Sequence, residues 1–135
     1  MQEHAMVDLS DTDIRLEFAF EGDVVLQGTI NRIHGPLIVE DITARLPIEA
    51  RAAYLDGEMK ITLDISRGNA KPTSDVKRGD IAYMPLGDSL CIYLKDTHPF
   101  SRVNVLGRVT SDDSILDALV SVKRGGRVSI RRADE

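Results

Sequence analysis

The stretch 79–109, GDIAYMPLGDSLCIYLKDTHPFSRVNVLGRV, limits what this chain can fold into more than any other segment. It reads strand, turn, strand, loop, strand. Residues 81–84 are a short apolar run, broken by Pro85, Leu86, Gly87 and Asp88. In 89–94, Leu90, Ile92 and Leu94 share one parity, the pattern of a strand with one face in a core. A polar segment follows, holding His98, Pro99 and Phe100, and 103–109 then resumes the apolar pattern.

The rest of the chain extends this pattern. Ile14, Leu16, Phe18 and Phe20 alternate with polar residues such as Arg15 and Glu17. After the turn Glu21-Gly22-Asp23, Val24, Leu26 and Ile30 continue on one parity, which predicts a β-hairpin. Gly35-Pro36 opens a helix, with Leu37, Ile38, Ile42 and Leu46 on its apolar face and Pro47 ending it. A strand over 48–55 meets the two-residue turn Asp56-Gly57, and Met59, Ile61, Leu63 and Ile65 mark the return strand. Residues 66–78 read as a surface loop within the domain. Beyond 109, Asp112 or Asp113 caps a short helix whose apolar face is Ile115, Leu116, Leu119 and Val120. Gly125-Gly126 stops it, and Val128 and Ile130 alternate with Arg127, Ser129 and Arg131 in a last strand.

The expected fold is therefore mainly β: a closed, eight-stranded, mostly antiparallel barrel with two short helices. Closure removes exposed sheet edges, and the helices suit the two open ends. One domain spans 13–132, preceded by an N-terminal arm, 1–12, that carries His4.

Composition narrows the function classes. There are three Tyr, three Phe and no Trp, so the core must be aliphatic. The net charge is −5, and Lys and Arg are scattered apart from Lys123, Arg124, Arg127, Arg131 and Arg132. That balance argues against a nucleic-acid partner, and a charged terminal strand accounts for the cluster. Cys91 is the single cysteine, so no internal disulfide forms; in an apolar strand it reads as an inert small hydrophobe. No segment is long and apolar enough to span a bilayer, and the polar, acidic start of the chain is unlike a signal peptide. A cytoplasmic protein with no membrane partner is expected.

Gly79-Asp80-Ile81-Ala82-Tyr83-Met84-Pro85, followed by Leu90-Cys91-Ile92-Tyr93-Leu94, resembles the small cyclophilin-like proteins of unknown function found in archaea and bacteria. In that family a Gly-Asp-x-x-Tyr-x-Pro-x-Gly turn precedes an apolar strand. Val103-Asn104-Val105-Leu106-Gly107-Arg108-Val109 is similar to the family's later strand and to the Val-Phe-Gly-Lys-Val strand of true cyclophilins. The resemblance implies a cyclophilin-like barrel. True cyclophilins are peptidyl-prolyl isomerases that use an arginine in a Phe-His-Arg-Val strand and, usually, a tryptophan. Both are missing here, which sets the fold apart from the activity.

The candidate ligand-binding residues are Tyr83, Met84, His98, Phe100, Asn104 and Arg51. His98 and Phe100 would put an imidazole and a phenyl ring at a groove, with Tyr83 and Met84 as the opposite wall. Asn104 would hydrogen-bond a ligand amide, and Arg51 would grip a carboxylate or carbonyl. Each has a structural alternative. Tyr83 and Met84 can be plain core, and Phe100 an anchor beside a solvated His98. Asn104 can satisfy a neighbouring loop, and Arg51 can pair with Glu49 or Asp64. His4, His34 and His98 lack metal-ligand spacing, no glycine-rich cofactor loop occurs, and no nucleophile–base pair is recognisable. No catalytic residue, metal or cofactor is expected. The reading is a non-catalytic binding module with a groove for a peptide segment or small molecule. The alternative is an enzyme, either a diverged peptidyl-prolyl cis-trans isomerase or an accessory subunit of an amide hydrolase. No feature fixes an oligomeric state.

Overall fold

A computed structural model describes residues 12–133. The expected arm at 1–12, with His4, lies outside the described residues except for Thr12. The strands are β1 (Asp13–Phe20), β2 (Val24–Asn31), β3 (Ile48–Leu55), β4 (Glu58–Thr62), β5 (Asp80–Met84), β6 (Ser89–Tyr93), β7 (Asn104–Val109) and β8 (Gly126–Arg132). Helix α1 (Pro36–Arg45) lies between β2 and β3, and α2 (Asp113–Ala118) lies between β7 and β8. The strands close a barrel in the order β1-β2-β7-β5-β6-β4-β3-β8. Neighbouring strands pair antiparallel throughout. This is the closed, eight-stranded antiparallel barrel that the sequence predicts.

Period-two patterning places the core. Ile14, Leu16 and Phe18 of β1 are fully buried, and Phe18 sits opposite Leu26 of β2 and Ile130 of β8. The hairpin turns behave as their sequences require. Asp56 and Gly57 both have positive φ, 50° and 83°, as a two-residue turn matched to strand twist demands.

The two helices plug opposite mouths. α1 follows the end of β2 and α2 follows the end of β7, and β2 and β7 run antiparallel. Both helices bury a somewhat different face from the one expected. In α1 the buried residues are Ile38, Val39 and Ile42, while Leu37 is 66% exposed. The stripe is rotated by one residue about the Ile38–Ile42 pair. In α2, Leu116 and Leu119 are buried as expected, with Val122 in place of Val120. The cause is the 3-10 turn Leu119–Ser121 that continues α2. A repeat of three residues per turn aligns 116, 119 and 122 and turns Val120 to solvent.

Topology forces two long connections. β4 and β5 run the same way because both pair antiparallel with β6, and β6 and β7 run the same way because both pair antiparallel with β5. Residues 63–79 and 94–103 must therefore each travel back along the barrel. They meet each other at the bridges Thr73–Val103 and Val76–Thr97. Beneath them lies a second apolar cluster of Val76, Ala82, Met84, Cys91, Tyr93 and Val103. β5 and β6 are consequently buried on both faces. The loop expected at 66–78 is thus a packed cover. The return strand is also shorter than its alternation suggests, ending at Thr62. Leu63 and Ile65 stay buried, but Asp88 binds the following chain. Its carboxylate accepts from the amides of Asp64, Ile65 and Ser66.

No helix among the described residues is long and apolar enough to cross a membrane.

Candidate functional site

The six sequence candidates do not gather into one groove. Tyr83 is fully buried, facing the barrel core. Its hydroxyl donates to Asp88 Oδ1 and accepts from the Arg67 amide, pinning the 63–67 segment to the barrel rim. Burial, followed by the Asp88 carboxylate, pushes the phenol up to about 12. Met84, also fully buried, fills the second cluster. Neither lines a groove: Tyr83 points into the barrel, and the two crossing segments cover Met84.

Asn104 is buried opposite Tyr83 in the β5–β7 register. Its side-chain carbonyl accepts from the amides of Ala70 (2.7 Å) and Lys71 (3.0 Å). Its NH2 donates to Asn69 Oδ1 (3.0 Å) and to the Tyr83 carbonyl (3.3 Å). Three of these bonds hold the 66–78 cover and the fourth joins β7 to β5, so no polar capacity is left for a ligand.

Arg51 lies on the outer face of β3, as strand parity indicates. Its Nη1 donates to the Gly125 carbonyl (3.1 Å), and Arg127 is its cross-strand neighbour. The expected partners Glu49 and Asp64 do not hold it. With Glu21, Glu49, Arg127 and Ser129 it lines an open, charged depression of about 530 Å³.

His98 and Phe100 do come together, on the rim of a cleft over the outer face of β4 and the end of β6. Phe100 is no core anchor. It is 71% exposed and lies under the Lys60 ammonium, 4.2 Å from the ring centroid, a cation–π contact. His98 is exposed, with Nδ1 3.1 Å from the Ser74 carbonyl and 2.7 Å from Asp75 Oδ1. These contacts tie the two crossing segments together beside the cleft.

The cleft has two lobes that share Leu55, Glu58 and Phe100. One, of about 270 Å³, is completed by Ala53, Tyr54, Lys60 and Arg124. The other, of about 250 Å³, is completed by Asp56, Tyr93, Thr97, His98 and Pro99. Leu55, 74% exposed, adds a second bare apolar side chain to the shared ridge. Tyr93 lies in the wall of the second lobe. Its hydroxyl is buried and has no hydrogen-bond partner among the described residues. Burial, with the Glu58 carboxylate adding to it, raises its pKa, so it remains a neutral phenol that can donate. Glu58 is its cross-strand neighbour, close enough to add to that shift without a hydrogen bond of normal geometry.

Sequence reasoning missed Tyr93, Glu58, Lys60, Leu55 and Arg124. The only available signal was parity, which put Glu58 and Lys60 opposite buried Met59 and Ile61. Cys91 is buried, and its thiol is pushed up to about 12, chiefly by burial and next by Glu58. A thiol held protonated is a poor nucleophile. Among the described residues no three His, Cys, Asp or Glu side chains cluster as metal ligands would.

Comparison with known proteins agrees with the architecture. No curated protein matches the chain. Among solved structures, the hypothetical protein AF2241 from Archaeoglobus fulgidus is similar, with 25% identity and a TM-score of 0.74, covering 90% of this chain and 96% of that one. McbB, solved in complex with tryptophan, has the same fold at 17% identity and a TM-score of 0.70. That match covers 89% of this chain and 45% of McbB. The family model described as cyclophilin-like matches residues 13–131, nearly the whole barrel, and the chain therefore belongs to the cyclophilin-like family.

Proposed function

We propose that the protein is a non-catalytic, cytoplasmic binding module whose site is the two-lobed cleft on either side of Phe100. One observation carries the reading: a buried phenol without a partner lies in the wall of a cleft whose ridge carries two bare apolar side chains. An unsatisfied buried hydroxyl costs on the order of 1–3 kcal/mol, and a ligand acceptor in the cleft would offset that cost. Exposed Phe100 and Leu55 supply the apolar contact that small-ligand sites combine with a few polar groups. The ligand is a small molecule or a single residue of a peptide, because each lobe is small.

Prolyl isomerisation fits this arrangement poorly. Twisting an X-Pro amide is assisted by a donor aimed at the bond beside an apolar pocket. Arg51 instead binds a backbone carbonyl and lies outside the lining of the Phe100 cleft. NMR titration with a fragment set tests the proposal, with shifts expected at the Leu55, Tyr93 and Phe100 amides. A parallel X-Pro peptide assay is expected to show no acceleration. An isomerase rate abolished by Arg51→Ala would overturn the non-catalytic reading.

A further inference from the structure

Charge is unevenly divided across the cleft. The lobe beneath Tyr54 carries two cations, Lys60 and Arg124, against one carboxylate, Glu58. Lys60 is partly engaged, 3.6 Å from Glu58 Oε1 and over the Phe100 ring. Arg124 is exposed and has no ion-pair partner among the described residues. Arg51 and Arg127 stand directly opposite each other on the adjoining outer face of β3 and β8. With Lys60 set against Glu58, the charge left over beside the most exposed apolar pair, Leu55 and Phe100, is the guanidinium of Arg124. Arg51 and Arg127 share their depression with Glu21 and Glu49, so the cation without a neighbouring carboxylate of its own is Arg124.

Resting on the reading of the cleft as a binding site, we infer that its ligand is a small organic anion. Its apolar body lies on the Leu55–Phe100 ridge, and its carboxylate is held by Arg124 and Lys60. Guanidinium groups bind carboxylates through paired donors, and those of Arg124 have no ion-pair partner among the described residues. The anion binds on the Arg124 side because the other lobe adds Asp56 and is lined by no lysine or arginine. Tyr93 then donates to a second, neutral acceptor on the ligand.

The test is an NMR titration at low ionic strength with three probes: hydrocinnamate, its uncharged analogue hydrocinnamide, and propionate, which lacks the ring. The expected result is that hydrocinnamate shifts the Leu55, Phe100 and Arg124 amides and binds about tenfold more tightly than hydrocinnamide, the effect of one charge-assisted contact. Propionate should bind more weakly than hydrocinnamate. Arg124→Gln, a surface change, should remove the preference for the acid over the amide. Equal binding of acid and amide at Leu55 and Phe100 overturns the anion inference and leaves the cleft reading intact. Shifts confined to Arg51 and Arg127, with or without the ring, reduce the anion to a surface counterion and overturn it as well. No shift from any probe at the cleft sinks both.

Discussion

Replacing Asn104 with alanine separates a structural from a ligand-binding role for that residue. The side chain makes four hydrogen bonds, three of them to backbone groups: the amides of Ala70 and Lys71 and the carbonyl of Tyr83. A buried hydrogen bond contributes about 1 kcal/mol net, and a buried group left without a partner costs about 1–3 kcal/mol. Ala70 and Lys71 are themselves exposed, so their amides regain water once the loop lifts. The Tyr83 carbonyl, beneath them, is less able to do so. About 3 kcal/mol of destabilisation is expected, a fall in melting temperature on the order of 10 °C for a domain this size. Asn104→Asp should fare no better. A carboxylate can still accept from the two amides, but it cannot donate to Tyr83 and brings an unneutralised charge into a buried site. Hydrogen exchange at Ala70 and Lys71 should accelerate in both variants. A melting temperature within about 2 °C of wild type, with protection at those amides unchanged, would refute the argument that Asn104 fastens the cover.

Four further expectations follow from the same geometry. Tyr93→Phe removes a buried hydroxyl that bonds to nothing, so it should raise stability by about 1 kcal/mol in urea unfolding; a clear loss would mean that the hydroxyl has a partner in solution. Gly107→Ala would place a Cβ 1.7 Å from the Thr29 carbonyl oxygen across the β2–β7 pair, and should cost more than about 3 kcal/mol or prevent folding, read by circular dichroism. Leu116→Asp should cost a few kcal/mol, on the order of 3, by putting an unpaired carboxylate at a residue 3% exposed, and a wild-type-like melt would count against the assigned face of α2. Asp41 bonds Arg45 and Arg67, each at 2.9 Å, and the two guanidinium groups hold its pKa below the ordinary value. A depressed folded pKa gives stability that is present above about pH 4 and is lost as pH falls through the folded value. Asp41→Asn should therefore cost about 1 kcal/mol near neutrality, with the difference closing in acid; a gap that does not change with pH would exclude the ion pairs as its source.

The barrel was legible because its signals are local. Alternation in β1, β2 and β8, the Asp56-Gly57 turn and the Gly35-Pro36 helix start each depend on neighbouring residues alone. The site was illegible because it is made by chain segments that cross. Tyr83, Met84 and Asn104 carry the chemistry of a groove wall, yet Tyr83 faces the barrel interior, and the crossing segments bury Met84 and bind Asn104. Nothing in the spacing of Ser66 to Arg78 announces that this polar run packs against β5 and β6. The same crossing leaves Phe100 exposed over Lys60, a pairing of residues forty positions apart that no periodic pattern encodes. The burial of Leu63 and Ile65 past the end of β4 has a similar origin, since the acceptor for their segment is the distant turn residue Asp88.

The architecture also explains why a site would form on the outside of this barrel. The interior is filled by side chains from every strand, and both mouths are closed by α1 and α2. A ligand can therefore meet the fold only on its outer wall or in its connections. On most of that wall the outward residues are polar and solvated, as with Arg15 in β1 and Arg127 in β8. The exception is set by topology: two like-directed strand pairs send 63–79 and 94–103 back over β5 and β6, and the second of these segments ends its cover short of β3. The step it leaves is walled by Phe100, floored by the Glu58–Lys60 side of β4, and backed by Tyr93 from under the cover. Tyr93, in the wall of this step, carries a buried hydroxyl with no hydrogen-bond partner among the described residues. Changes in the 94–103 segment would redraw this cleft without touching the barrel core, so the same fold can present different ligand surfaces through that one connection.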